Sequence, residues 1–212
     1  ERGTSSDTFS AVRSPPAFNN LVGVRPTIGL VSRTGIVPLS ATQDTAGPIA
    51  RTVADAARML DAMVGYDPDD PVTSRGVDRV PEDGYVSHVG AGDLSDMRIG
   101  VARQFFGLQG DDADESDAES VTAVVDDAVE DMAAAGATIV DPVEIVDIDR
   151  LKSARVVGYE FARDFDRYLS TLGEAAPHDS LADVVATGEI APAIQARLDD
   201  AGILDVDPSS VD

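Results

Sequence analysis

MRIGVA (residues 97–102) and ATIV (residues 137–140) are short apolar runs of buried-strand type, and what lies between them decides the fold class. There DDADESDAES (111–120) leads into VTAVVDDAVEDMAAAG (121–136), in which Val121, Val124, Val125, Ala128, Val129 and Met132 recur at three- and four-residue steps. That spacing lays apolar side chains along one face of a helix, and Gly136 supplies its stop. Strand, helix and strand in this order predict a βαβ unit with neighbouring parallel strands, hence an α/β protein.

Working outward, a helix is predicted over 52–64. Thr52 opens it as a cap, Asp55 is placed to reach back and complete a capping box, and Val53, Ala56, Leu60, Met63 and Val64 keep helical spacing up to Gly65. Residues 1–50 are rich in Gly, Pro, Ser and Thr, with short runs such as LVGV (21–24) and IGLVS (28–32), and read as loops alternating with short strands. YDPDDP (66–71) reads as a turn, and the connection from 66 to 96 as irregular and acidic. A further helix is predicted over 151–172, carrying Val156, Phe161, Phe165, Tyr168, Leu169 and Leu172, with another helical piece within 180–212.

A chain of 212 residues with 43% hydrophobic content is globular, with one sizeable core or two small ones. Its 39 Asp and Glu against 16 Lys and Arg leave a net charge of −23, which repels phosphate backbones and anionic bilayers. Neither nucleic acid nor a membrane is an expected partner. Salt screens the self-repulsion of such a surface, so the acid excess points to a high-salt cytoplasm, that of a halophilic organism. No run approaches the roughly 18 apolar residues of a membrane span, and the chain opens without a basic-then-apolar leader. With no cysteine, thiolate zinc sites, disulfides and a Cys nucleophile are excluded. His88 and His178, far apart in sequence, read as exposed loop residues, and no metal or other cofactor is expected. Lys152, the only lysine, reads as a solvated surface residue, and the acidic runs at 67–71 and 111–120 lack the spacing of a calcium loop. Phe105 and Phe106 follow a strand end and read as core caps.

The head of the chain carries chemistry. SDTFSAVRSPPAFNNLVGVRPTIGLVSRTGIVPLSATQDTAGPIARTVADAARML, residues 6–60, resembles the amidase signature family, serine hydrolases that cleave carboxamides. GVRPTIGLVSRTGIVPLS (23–40) and QDTAGPIARTVADAA (43–57) carry the resemblance, and MRIGVARQFFG, GATIVDPVEI and SLADVV extend it over most of the chain. The resemblance implies part of the amidase signature fold, a mixed β-sheet covered by helices, with residues 1–212 forming the C-terminal portion of a single domain that is incomplete on its N-terminal side. It also implies a Ser, cis-Ser, Lys triad in which a neutral lysine activates the nucleophile through the cis serine, while backbone amides of a Gly-Gly-Ser loop hold the oxyanion.

Laid without a gap on the family's D-T-G-G-S-[IV]-R-x-P loop, this chain reads Asp7, Thr8, Phe9, Ser10, Ala11, Val12, Arg13, Ser14, Pro15. Ala11 takes the nucleophile position, and a methyl group cannot attack a carbonyl. Phe9 and Ser10 replace the two glycines. The resemblance assigns the loop backbone of Thr8, Phe9 and Ser10 to the oxyanion, and makes Asp7, Arg13, Asp44 and Arg51 structural supports, buried or tying loops. Ser10, one residue out of register, is the second candidate nucleophile; Ser5, Ser6 and Ser14 read as turn residues. The family's lysine and cis serine fall before this loop, and Lys152 does not match that lysine. The expectation is therefore an amidase-lineage chain inactive by itself. Its ligand, if any, would be a small-molecule amide, its partner a separate N-terminal half or a second copy. The alternatives are a decayed gene product and a non-catalytic chain with a binding or assembly role.

Overall fold

The computed structural model describes residues 2–90, 92–106, 115–153 and 156–205. In chain order its elements are β1 (Arg2–Asp7), α1 (Ser14–Phe18), β2 (Val22–Gly23), β3 (Thr45–Ala50), α2 (Val53–Met63), β4 (Arg98–Gly100), α3 (Glu115–Ala134), β5 (Thr138–Val140), α4 (Ile148–Ser153), α5 (Val157–Leu172), α6 (Leu181–Ala186) and α7 (Pro192–Asp200). The chain is α/β, as its sequence predicts, and divides into two compact units. One comprises residues 1–89 and 155–212, the other residues 90–154.

The first unit is built on a three-stranded antiparallel sheet in the order β1-β3-β2. Its central strand β3 is buried over Thr45–Pro48 and pairs along its whole length with β1, from Arg2 opposite Ala50 to Asp7 opposite Thr45. Helix α2 packs Ala56 and Leu60 inward, and Leu60 joins Val31 and Ala46 in one apolar cluster flanked by Val24, Ile36, Met63 and Tyr85. The helix starts as its sequence predicts, with the Asp55 amide donating to Thr52 Oγ1 at 3.1 Å. The reverse half of the capping box does not form. Asp55 instead accepts from Arg2 at 2.6 Å and from Arg58 at 3.3 Å, because a guanidinium satisfies the carboxylate more strongly than a neutral amide.

The connection after α2 is more ordered than its composition suggests. Two 3-10 turns, Pro71–Gly76 and Tyr85–His88, punctuate it. Asp70 is buried and ties this segment to Arg33 through bonds of 2.7 Å and 2.9 Å.

Helix α5 carries two different faces. On one, Ala162 joins Leu181 of α6, Leu198 of α7 and Ile203 in a second apolar cluster, with Phe161 and Phe165 in tilted contact beside it. On the other, Glu160, Arg163 and Asp164 are buried and face the 40–42 loop. The Ser40 hydroxyl donates to Glu160, Thr42 Oγ1 donates to it at 2.9 Å, and the Ala41 amide donates to Asp164 at 2.7 Å. Arg163 lies 2.8 Å from Asp164 and 3.7 Å from Glu160, so the buried charges are paired. The helix predicted over 151–172 is two helices, α4 and α5.

In the second unit β4 and β5 are parallel, Arg98 opposite Thr138 through Gly100 opposite Val140, with α3 between them in sequence. This is the predicted βαβ unit. Arg103 clamps its C-terminal end, reaching Asp126 of α3 and Asp141 just after β5, each at 2.5 Å, and lying over the Phe106 ring. These two carboxylates hold the Arg103 guanidinium pKa well above its usual value. Phe105 is exposed, so the core-cap reading fails for it: it sits in a short 3-10 turn whose side chain leaves the packed layer. The apolar stripe of α3 is likewise uncovered at Val121 and Val124. Of the acidic run 111–120, residues 111–114 lie outside the described residues, as do 206–212 of the last predicted helical piece and the side chain of Lys152.

Candidate active site

The end of β1 delivers the loop to the edge of the sheet. Asp7, the last strand residue, is fully buried and works as the loop's anchor. It accepts from the Val12 amide at 3.0 Å and from Arg25 Nε at 3.3 Å, with Arg13 Nε at 3.7 Å. A buried carboxylate needs such donors to offset its lost hydration. The bond from Val12 back to Asp7 closes residues 8–11 into a tight turn that leads into α1, where the Arg13 and Ser14 amides donate to the Ser10 carbonyl at 2.8 Å and 2.7 Å.

Asp44 fixes the turn from the other side. Nearly buried, it receives the Thr8 hydroxyl on one oxygen and the Leu39 and Ser40 amides, at 2.8 Å and 2.9 Å, on the other. The loop is thus held between two carboxylates, one gripping the backbone at Val12 and one gripping Thr8. Behind it, Val12 is fully buried and its carbonyl crosses Gly23, where an added Cβ would lie 1.7 Å from the Val12 oxygen. Only glycine at position 23 allows that approach.

These anchors present residues 8–11 to a cavity of about 540 Å³. Thr8, Phe9, Ser10 and Ala11 line it from the loop, Phe18 from α1, and Val37 and Leu39 from the opposite segment. Phe9, Phe18 and Val37 are 61%, 90% and 54% exposed around it, so the wall is apolar and open. Among the described residues the backbone amides of Phe9, Ser10 and Ala11 donate to no protein acceptor, and the Ser10 hydroxyl meets no partner. Phe9 and Ser10 also hold ordinary backbone angles: among the described residues positive φ outside glycine occurs only at Asn20 and Asp78. The glycine pair of the resembled loop is therefore replaced here without left-handed strain.

The structure brings Asp7, Thr8, Phe9, Ser10, Ala11, Arg13 and Asp44 to one place. Arg51 is not among them: it is exposed beside the start of α2, without an ion pair among the described residues, because the strand end turns its side chain to solvent. His88 is exposed, whereas His178 is half-buried. Sequence reasoning missed Phe18, Val37 and Leu39 as cavity walls and Arg25 as a partner of Asp7. Arg25 lies in the GVRPT segment, so that motif was its signal. Phe18 and Val37 are apolar residues in loop-like sequence with no periodicity to mark them. No group of three or more His, Asp or Glu among the described residues is arranged to hold a metal ion, and no described helix is long and apolar enough to cross a membrane.

The site is thus a tight loop of an α/β chain, held between two buried carboxylates and lining an apolar cavity with residues whose amides meet no protein acceptor. The Amidase family profile matches residues 2–204, and the chain belongs to that family. It is 33% identical over 190 residues to a probable amidase of Arabidopsis thaliana, covering 87% of this chain and 34% of the relative. A glutamyl-tRNA(Gln) amidotransferase chain of Pseudomonas aeruginosa is 40% identical over 138 residues, covering 65% of this chain and 26% of the relative. Among solved structures, the native peptide amidase of Stenotrophomonas maltophilia superposes with a TM-score of 0.70 at 33% identity, covering 89% of this chain and 36% of that one. An amidase family protein of Bacillus anthracis gives 0.69 at 32% identity, with 89% and 35% covered. The chain thus spans between about a quarter and about a third of the length of these relatives.

Proposed function

We propose that this chain forms the loop-bearing part of an amidase-lineage site that binds a carboxamide or its acyl group but does not carry acyl transfer at residue 11. The observation behind this reading is that Ala11 lines the cavity together with Phe9 and Ser10, and that the amides of all three have no protein acceptor among the described residues. Amides so placed stabilise negative charge on an acyl oxygen, each such donor contributing about 3–4 kcal/mol to a barrier when a reaction occurs. Without a nucleophile that stabilisation serves binding alone. Ser10 is a neighbouring hydroxyl, but its Cα stands about 3.8 Å along the chain from that of residue 11. A displacement of about 1 Å already costs on the order of a hundredfold in rate.

Ammonia release from acetamide, benzamide and an amidated dipeptide, measured in molar potassium chloride, is expected to stay at background. Turnover above background overturns the reading, and its loss on Ser10→Ala would move the nucleophile to that residue.

A second reading is favoured by the exposure of Phe9, Phe18 and Val37 around the cavity: another polypeptide, the remainder of an amidase fold or a second copy, covers this wall. Native mass spectrometry separates the two, a monomer that binds benzamide supporting the first. The excess of 39 acidic over 16 basic residues further supports a high-salt cytoplasm, for which stability that rises with added salt is the test.

A further inference from the structure

A second cavity in the same unit, of about 900 Å³, is lined by Arg25, Arg75, Arg79 and Tyr85, with Ile28 and Leu30 on its apolar side. Its charge runs against the rest of the molecule. Carboxylates outnumber cations 39 to 16, and Arg2, Arg33, Arg58, Arg103 and, of the cavity's own arginines, Arg25 each find one. Arg75 and Arg79 have no ion-pair partner among the described residues, and the Tyr85 hydroxyl has no hydrogen-bond partner there. Asp78, between the two arginines in sequence, does not line the cavity.

The backbone holds these groups in place. Arg75 lies in the last turn of the 3-10 helix Pro71–Gly76, and the Arg79 amide donates to the Gly76 carbonyl at 3.1 Å, so both arginines come from successive turns of one segment. That segment lies against residue 29 because residue 76 is glycine: an added Cβ there would stand 2.8 Å from the Gly29 carbonyl oxygen. Tyr85 is set by Asp61, which accepts from the Tyr85 amide at 2.6 Å and the Val86 amide at 3.2 Å. Arg25 spends Nε on Asp7 and Nη2 on the Gln43 carbonyl, which keeps it at the cavity edge.

Arg75 and Arg79, which no carboxylate among the described residues pairs, leave positive charge at the cavity wall, and an oxyanion would neutralise it while accepting paired N–H bonds. We propose that this cavity binds a small oxyanion, the phosphate or carboxylate of a ligand whose short apolar body rests on Ile28 and Leu30. Phenyl phosphate and benzoate are the probes, titrated in phosphate- and sulfate-free buffer and followed by calorimetry and by Tyr85-dependent fluorescence. Saturable binding is expected for at least one of them, and the one bound more tightly identifies the source of the anion. The Arg75→Gln/Arg79→Gln double variant is expected to lose at least about tenfold in affinity, equivalent to about 1.4 kcal/mol. Arg51→Gln, which removes an exposed arginine outside the cavity, is expected to bind as the parent does. Both double-variant positions are exposed, and an unchanged far-UV circular dichroism spectrum verifies the fold. Absence of saturable binding by either probe at millimolar concentration overturns the proposal. So does equal affinity in the folded double variant, since a chain of net charge −23 offers no general attraction for anions.

Discussion

Replacing Asp44 tests how the candidate loop is held. Its carboxylate has three donors and, among the described residues, no ion-pair contact: the Thr8 hydroxyl on one oxygen, the Leu39 and Ser40 amides on the other. Hydrogen bonds to a charged group contribute about 1.5–3 kcal/mol each, and a buried donor left without a partner costs about 1–3 kcal/mol. Ser40 is fully buried, whereas Leu39 and Thr8 are half-buried and can recover water. One full loss and two partial ones place Asp44→Ala at about 3–5 kcal/mol. Asp44→Asn keeps a carbonyl oxygen for the two amides and offers its NH2 to the Thr8 oxygen, so only charge assistance is lost, about 1 kcal/mol. Urea unfolding followed by tyrosine fluorescence reads this out, because the chain has no tryptophan and its 4 tyrosines, at 66, 85, 159 and 168, all belong to the first unit. Equal effects of the two substitutions, or a loss below about 1 kcal/mol for Asp44→Ala at unchanged m-value, would refute the anchoring role.

Two further expectations concern the ties that surround the loop. Hydrogen bonding by Arg33 holds the Asp70 carboxyl below its ordinary pKa, so its stabilisation is complete above the unfolded value of about 3.9 and is lost as pH falls through the lower folded value. Below about pH 4 the parent should therefore lose stability with falling pH more steeply than Asp70→Asn, and identical acid limbs in denaturant titrations would contradict the assignment. Asp164→Ala should speed hydrogen exchange at the Ala41 amide about tenfold or more while leaving the Val12 amide, bonded to Asp7, unchanged. Equal acceleration at both would mean general destabilisation instead.

The elements legible in the sequence are those set by local chemistry. Thr52 caps α2 through a residue three positions away, and the apolar spacing between MRIGVA and ATIV announces the parallel β4–β5 pair, so a short window of sequence suffices for each. What stayed hidden depends on contacts distant along the chain. Glu160, Arg163 and Asp164 look like the solvated face of a helix, since charged residues are rarely buried unless paired. Their partners Ser40, Ala41 and Thr42 lie 118–123 positions away. Asp55 shows the same limit in miniature, because Arg2 competes for it from a strand that no helical pattern reveals. At the site, the motif located Asp7, Ala11 and Asp44, whereas the walls at Phe18 and Val37 arise only when the sheet brings α1 and the 37–39 segment together.

Whether the loop carries a nucleophile decides what this site can do, and covalent labelling is the most direct probe. The protein is incubated with a fluorophosphonate or sulfonyl fluoride in molar potassium chloride, and its intact mass and the peptide spanning residues 3–25 are measured. An unchanged mass is the expected result, with the same outcome for Ser10→Ala. A stoichiometric adduct on Ser10, abolished by Ser10→Ala, would contradict it and show an activated hydroxyl one residue before the Ala11 methyl.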